Sequence, residues 1–367
     1  MSDPYPELDT PALLVDLDAM RGNIEEMSGV AKRGGVRLRP HTKTHKCPEI
    51  ARMQVDAGAD GITVAKLGEA EVMADAGLDD LLIAYPIVGD AKLARLRGLL
   101  ERATVRVSLD AVEVAEGVGR AGRDAGRDVP VLVDVDTGTH RMGRPPGAPT
   151  AELAVEIDRV PGVRVAGLIT HAGHAYRSAG EDDLREVVGR EVADLVDTAD
   201  RCAKLGLEIE EISVGATPTA RLEAEQEGVT EIRPGTYVFN DVQQMRLGVA
   251  TEATCAARVL VTVVARPTAE RFVLDGGTKA FTSDGGDGPP LPGRGVVAGR
   301  PDLRIDFMNE EHAVGDVEDG GDLAIGDRLE VIPLHVCSCV NMFDVAYGVC
   351  DGRVDRELAI AGRGRMR

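Results

Sequence analysis

From Val36 to Gly235 the chain alternates between two kinds of segment, and this alternation limits its folds more than any other feature. Short runs rich in aliphatic and β-branched residues are each followed by a stretch with helical periodicity. The runs are 36–40 (VRLRP), 61–65 (GITVA), 81–85 (LLIAY), 104–108 (TVRVS), 130–135 (PVLVDV), 165–170 (VAGLIT), 209–214 (IEEISV) and 230–233 (TEIR). Segments such as AKLGEAEVMADAG and DLREVVGREVADLVDTADRCAKLG lie between them. Strand–helix alternation imposes parallel pairing through crossover helices. Eight such units fit a (β/α)8 TIM-type barrel. An open doubly wound sheet is the competing fold, but no glycine-rich dinucleotide fingerprint follows the first run.

From about Thr251 the pattern changes. ARVLVTVVARP, RFVLDGG, RLEVIPLHVCSCV and VAYGVC read as strands separated by Gly, Asp and Pro turns, which predicts an all-β domain. The early run ALLVD at 12–16 precedes the barrel and is expected to pair with that domain. The expected organisation is therefore α/β. Residues 1–20 hold a strand for the β domain, 21–248 form the barrel, and 249–367 form the C-terminal β domain. TSDGGDGPPLPGRG at 282–295 reads as a long polar loop.

Charge and composition narrow the function. The net charge of -20 argues against a nucleic-acid partner. No apolar run is long enough to span a bilayer, and the acidic N-terminus lacks a signal pattern, so a cytoplasmic protein with no membrane partner is expected. Six cysteines in a chain of 367 residues need no disulfide framework, so reduced thiols or a metal ligand are the better readings.

Barrels place their chemistry at the C-terminal ends of the strands. After the first run come His41, Lys43, His45 and Lys46; after the fifth, Asp134, Asp136, Arg141 and Arg144; after the sixth, His171, His174 and Tyr176. Loops are polar anyway. Yet of seven histidines, four lie in just two of these loops, and such clustering favours a site. SVGATPT and RPGTY, after the seventh and eighth runs, supply glycines and hydroxyls where barrels often bind phosphate. A phosphate cradle opposite a lysine at the end of the first strand points to pyridoxal phosphate, held through a lysine amine. Lys43 is that lysine in this reading, although most lysines are simply solvated. A nearby arginine such as Arg141 could hydrogen-bond the oxygen or ring of that cofactor. In PLHVCSCVN, His335 and Cys337 would share one face of a strand. Together they would chelate a divalent ion with positions left open for substrate. The bland alternative is a buried thiol beside a satisfied histidine.

LDTPALLVDLDAM, RPHTKTHK, GITVAKLGEAE, DVDTGTHRMG, THAGHAY, RPGTYVFND, LDGGTKA and HVCSCVNMFD, in this order, resemble the D-threonine aldolase and D-serine dehydratase family. The likeness runs along nearly the whole chain. It implies an alanine-racemase-like fold and pyridoxal 5'-phosphate. It implies that Lys43 carries the Schiff base, with Lys46 the runner-up, that Arg141 contacts the cofactor, and that Tyr176 lines it. It implies that Gly215, Thr217, Gly235, Thr236 and Tyr237 surround the phosphate, and that His335 and Cys337 bind a metal: zinc, manganese or magnesium. It further implies a homodimer and a D-amino acid substrate. Aldolases of this kind often carry His-x-Asp at the metal position and dehydratases His-x-Cys, and here the pair is His335-x-Cys337. The expected reaction is cleavage of D-threonine, with His174 or a metal-activated water as base. Dehydration of D-serine or D-3-hydroxyaspartate is the alternative, and racemisation is third. A non-catalytic cofactor carrier would need only the barrel, so the His-x-Cys pair argues against it.

Overall fold

The computed structural model describes residues 5–284, 293–318 and 321–367. Residues 285–292 of the predicted polar loop lie outside them. The chain divides into two compact units, one of Glu26–Gly235 with Gly364–Arg367 and one of the residues through Glu25 with Thr236–Arg363. β1 (Ala12–Asp16) belongs to the second unit. The next eight strands form the first: β2 (Arg37–Leu38), β3 (Ile62–Val64), β4 (Asp80–Ile83), β5 (Thr104–Leu109), β6 (Val129–Asp134), β7 (Val163–Ile169), β8 (Glu211–Val214) and β9 (Glu231–Ile232).

Each barrel strand overlaps a run read from the sequence. They pair in parallel in the order β2-β9-β8-β7-β6-β5-β4-β3. A parallel bridge between His41 and Thr63 joins the two ends, with Thr63 N donating to Pro40 O at 2.8 Å. That closure excludes the open doubly wound sheet. Leu81, Leu82, Ile83, Val131, Leu132 and Val133 are all fully buried. Parallel strands covered on both faces carry such unbroken aliphatic runs. The other filling is ionic: buried Arg39 bonds Glu231 at 2.8 Å and Asp80 at 2.7 Å, and Arg106 reaches Asp80 at 2.7 Å. The C-terminal tetrapeptide joins this unit because Arg367 O accepts from Gly68 N at 2.9 Å and from Arg95 at 3.1 Å.

The second unit is a nine-stranded sheet. Its later strands are β10 (Ala257–Ala265), β11 (Arg271–Leu274), β12 (Val296–Val297), β13 (Leu303–Met308), β14 (Ala313–Val317), β15 (Arg328–Ile332), β16 (Val345–Cys350) and β17 (Arg353–Ala359). Their order is β11-β14-β13-β12-β15-β10-β1-β16-β17, and β11 also pairs with β10. β1 joins this sheet, antiparallel to β10 and parallel to β16. The segment after Gly235 goes with this unit: Val242 N donates to Pro333 O at 3.2 Å and Ala256 N to Phe239 O at 2.7 Å.

One expectation is corrected. The run RLEVIPLHVCSCV is not strand throughout. β15 stops at Ile332, where Pro333 has no N–H to offer the ladder. Val336–Val340 is a short helix capped by His335. Asp241 starts it by accepting from Val336 N at 3.0 Å.

Candidate active site

The loop after β2 turns through a 3-10 segment, Thr42–Thr44. His41 caps it and accepts from Lys43 N at 3.4 Å through Nδ1. The two lysines of this loop differ in surroundings. Lys46 is buried at a positive φ of 53° and forms an ion pair with buried Glu69. Glu69 also accepts from Ala65 N at 2.9 Å. Lys43 is half-buried and lies beside His41 and His171, whose protonation its charge opposes.

His171 donates from Nδ1 to Gly215 O at 3.0 Å, which leaves Nε2 as an acceptor. Burial first, then the Lys43 charge, lowers its pKa to about 3. His41 is lowered for the same two reasons, joined by the Arg233 charge. Two neutral imidazoles therefore flank Lys43.

Arg233 comes from the RPGTY motif but had no assigned role. It is buried and donates to Ser213 Oγ at 2.7 Å and to Thr170 O. Asp134 sits within reach of both Arg233 and Arg141. Burial raises its pKa to about 6, although a 2.6 Å bond from Ser108 and the two arginines oppose the rise. Arg141 is exposed and lines a cleft with Thr137, Thr139, Thr170 and His171. Its loop is pinned by Asp136, which accepts from Gly138 N at 3.1 Å and His140 N at 2.8 Å, and by Asp110, which accepts from Gly143 N at 2.9 Å. His174 and Tyr176 lie on the 3-10 turn Gly173–Arg177. His174 approaches Thr139 Oγ1 at 3.5 Å, and its pKa is lowered by burial and by the Arg190 charge.

Gly215 and Thr217 follow β8, and Gly235 follows β9. A Cβ on Gly215, at φ +142°, would lie 2.6 Å from Arg233 N. On Gly235 it would lie 3.0 Å from His41 O and Thr44 Oγ1. At Gly215 the backbone comes too close for a side chain, and at Gly235 a side chain would be tight. Such bare backbone, with buried Thr217, suits a phosphate, and the Lys43 and Arg141 surroundings suit the rest of pyridoxal phosphate. Thr236 and Tyr237 are buried too but belong to the second unit.

In that unit, the helix cap brings His335 and Cys337 together without a strand. Cys337 hydrogen-bonds the His335 ring and lies 3.7 Å from Thr236 Oγ1. His335 Nδ1 bonds Asp284 Oδ2 at 2.8 Å, and Ser338 Oγ donates to the same oxygen at 2.8 Å. Burial alone would lower the His335 pKa. The bond to Cys337 and the charges of Cys337, Asp241 and Asp284 instead hold it at about 10. An imidazole and a thiol in so negative a setting are a donor set suited to a divalent cation. Asp275 accepts from Thr262 N at 2.9 Å, and Lys279 pairs with Glu311 at the surface. Of the other cysteines, Cys339 is buried and bonds Ala280 O at 3.2 Å.

Comparison with known proteins agrees with this architecture. Residues 15–242 match the family of the alanine racemase N-terminal domain, and 256–349 match a putative serine dehydratase domain. A D-threonine aldolase from Arthrobacter sp is 34% identical over 100% of this chain and 95% of its own. A D-threo-3-hydroxyaspartate dehydratase from Delftia sp. (strain HT23) is 35% identical over 94% of each. The crystal structure of a D-threonine aldolase from Filomicrobium marinum superposes with a TM-score of 0.91 at 31% identity, covering 98% of this chain and 96% of that one. The closed barrel, the N-terminal strand built into the β sheet and the full-length likeness lead to one conclusion: the chain belongs to the D-threonine aldolase and D-serine dehydratase family of alanine-racemase-like, pyridoxal-phosphate-dependent lyases.

Proposed function

We propose that the protein uses pyridoxal phosphate and a divalent metal to cleave D-3-hydroxy amino acids, with D-threonine giving glycine and acetaldehyde. The observation that carries this reading is the contrast between two lysines of one loop. Lys46 is paired with Glu69, while the charge of Lys43 bears on His41 and His171 and helps keep both neutral. Pyridoxal phosphate, when bound, supplies an electron sink for the bond broken at the substrate α-carbon. An ion held by His335 and Cys337 supplies a Lewis acid for the 3-hydroxyl, and the thiolate donor suits zinc better than manganese or magnesium.

The remaining roles fall to the chain itself. Lys43 would hold the cofactor through its amine. Gly215, Thr217, Gly235, Thr236 and Tyr237 serve the phosphate, and Arg141 and Tyr176 the ring. His174, kept neutral by burial, accepts the hydroxyl proton. The protein acts as a homodimer, as the resemblance implies.

Cys337 favours a second reading, dehydration to a keto acid and ammonia, in which Lys43 removes the α-proton. Product analysis separates the two. Incubation with D-threonine should give glycine and acetaldehyde, and exhaustive chelation should stop it. 2-Oxobutanoate with ammonia would replace the aldolase reading by the second one. Turnover that survives chelation would remove the metal from both.

A further inference from the structure

We propose that Asp284 is the positioning residue for the metal ligand His335, fixing which ring nitrogen faces the ion. The inference rests on the metal reading above and adds to it a residue outside the His-x-Cys pair.

The geometry is that of a clamp. Asp284 Oδ2 takes two hydrogen bonds, from His335 Nδ1 at 2.8 Å and Ser338 Oγ at 2.8 Å. The two donors flank Cys337 in sequence, so one carboxylate oxygen holds the ligand segment on both sides of the thiol. With Nδ1–H given to a carboxylate, Nε2 is the nitrogen that gives up its proton to a binding cation and presents a lone pair to it. The carboxylate also makes that nitrogen a stronger donor.

The backbone of the same segment is held separately. Asp241 is fully buried, accepts from Val336 N at 3.0 Å through Oδ2, and accepts from Gln244 N at 3.1 Å through Oδ1. Asp241 thus anchors the start of the helix, and Asp284 orients the imidazole. His335 and Cys337 are two residues apart, so their spacing gives proximity but not ring orientation. A freely rotating imidazole would present Nδ1 or Nε2 indifferently.

The test measures metal affinity on the cofactor-loaded full chain. Zn²⁺ is titrated in competition with a chromophoric chelator, and Co²⁺ loading reads the thiolate-to-metal charge-transfer band. Asp284→Ala should weaken Zn²⁺ binding roughly 10–100-fold. The Co²⁺ band should keep its position at saturation, because His335 and Cys337 remain the ligands. Asp284→Asn keeps an oxygen acceptor for Nδ1–H and should recover most of the affinity. Unchanged cofactor absorbance shows that each variant is folded.

Wild-type Zn²⁺ affinity in Asp284→Ala would overturn the proposal. So would a shifted Co²⁺ band at saturation, which would make Asp284 a ligand itself. Cys337→Ala separates the two levels of the argument. If it leaves Zn²⁺ binding and the Co²⁺ band intact, the underlying metal reading fails. If it abolishes them while Asp284→Ala does nothing, only the positioning role fails.

Discussion

Replacing Lys46 tests the division between the two lysines on stability rather than turnover. The Lys46 side chain is 10% exposed and that of Glu69 2%. Removing one member of a buried ion pair leaves the other charge uncompensated, which costs about 3–5 kcal/mol. Glu69 would keep the Ala65 N–H bond at 2.9 Å, so the lower end applies, about 3 kcal/mol for Lys46→Met. Methionine fills the space of the lysine stem, so the loss reports the charge rather than a cavity. Adding Glu69→Gln removes the bare charge and keeps an acceptor for Ala65 N–H. The double variant should therefore recover most of the loss, with a coupling energy well above that of independent sites. Urea unfolding followed by far-UV circular dichroism gives the four corners of this cycle. Lys43→Ala should unfold near the wild-type midpoint and lose the lysine-linked cofactor chromophore, while Lys46→Met should keep that chromophore. A wild-type urea midpoint in Lys46→Met would refute the buried-pair reasoning. A chromophore lost in Lys46→Met and kept in Lys43→Ala would exchange the two roles.

Two further outcomes follow from buried groups. Gly215→Ala forces a Cβ against Arg233 N at a φ of +142°, so the cradle must shift, and strain of about 1–3 kcal/mol should weaken cofactor binding in a pyridoxal phosphate titration; unaltered binding would count against the cradle. Glu191, in the helix Glu181–Lys204, and Glu223, in the helix Ala220–Glu223, are both fully buried, and burial raises both carboxyl pKa values, Glu191 further through the Glu223 charge. The folded state therefore holds their proton more tightly than the unfolded state, so their contribution is complete in acid and lost as pH climbs from the ordinary carboxylate range toward neutrality. Melting temperature measured across that window should fall, and Glu223→Gln should flatten the fall; a slope that survives the substitution would assign it to other groups.

The barrel was legible because its strands are buried on both faces, and that burial writes itself as aliphatic runs. The hairpin of β13 and β14 and the edge strand β17 were not read. In β17, Asp355, Arg356 and Glu357 are all exposed, and a charged edge masks strand character while guarding against edge-to-edge pairing. Lys43, Gly215 and Gly235 were singled out because each follows a recognisable strand. His335 and Cys337 were read as a pair but placed on a strand that Pro333 had already ended. Arg233 was visible in its motif, yet nothing local tells a buried arginine from a solvated one. Asp284 was hidden differently: its partner lies 51 positions away, with no spacing rule to link them.

The placement of β1 has a consequence for biosynthesis. Thr10 and Thr262 touch through their hydroxyls at 2.6 Å across 252 positions of sequence, and β1 lies between β10 and β16. On a ribosome adding about 5–20 residues per second, β1 waits roughly 13–50 s for β10, and longer for β16. The eight barrel strands emerge within that interval. The barrel that carries Lys43 can therefore be complete while the segment of His335 and Cys337 is still unsynthesised.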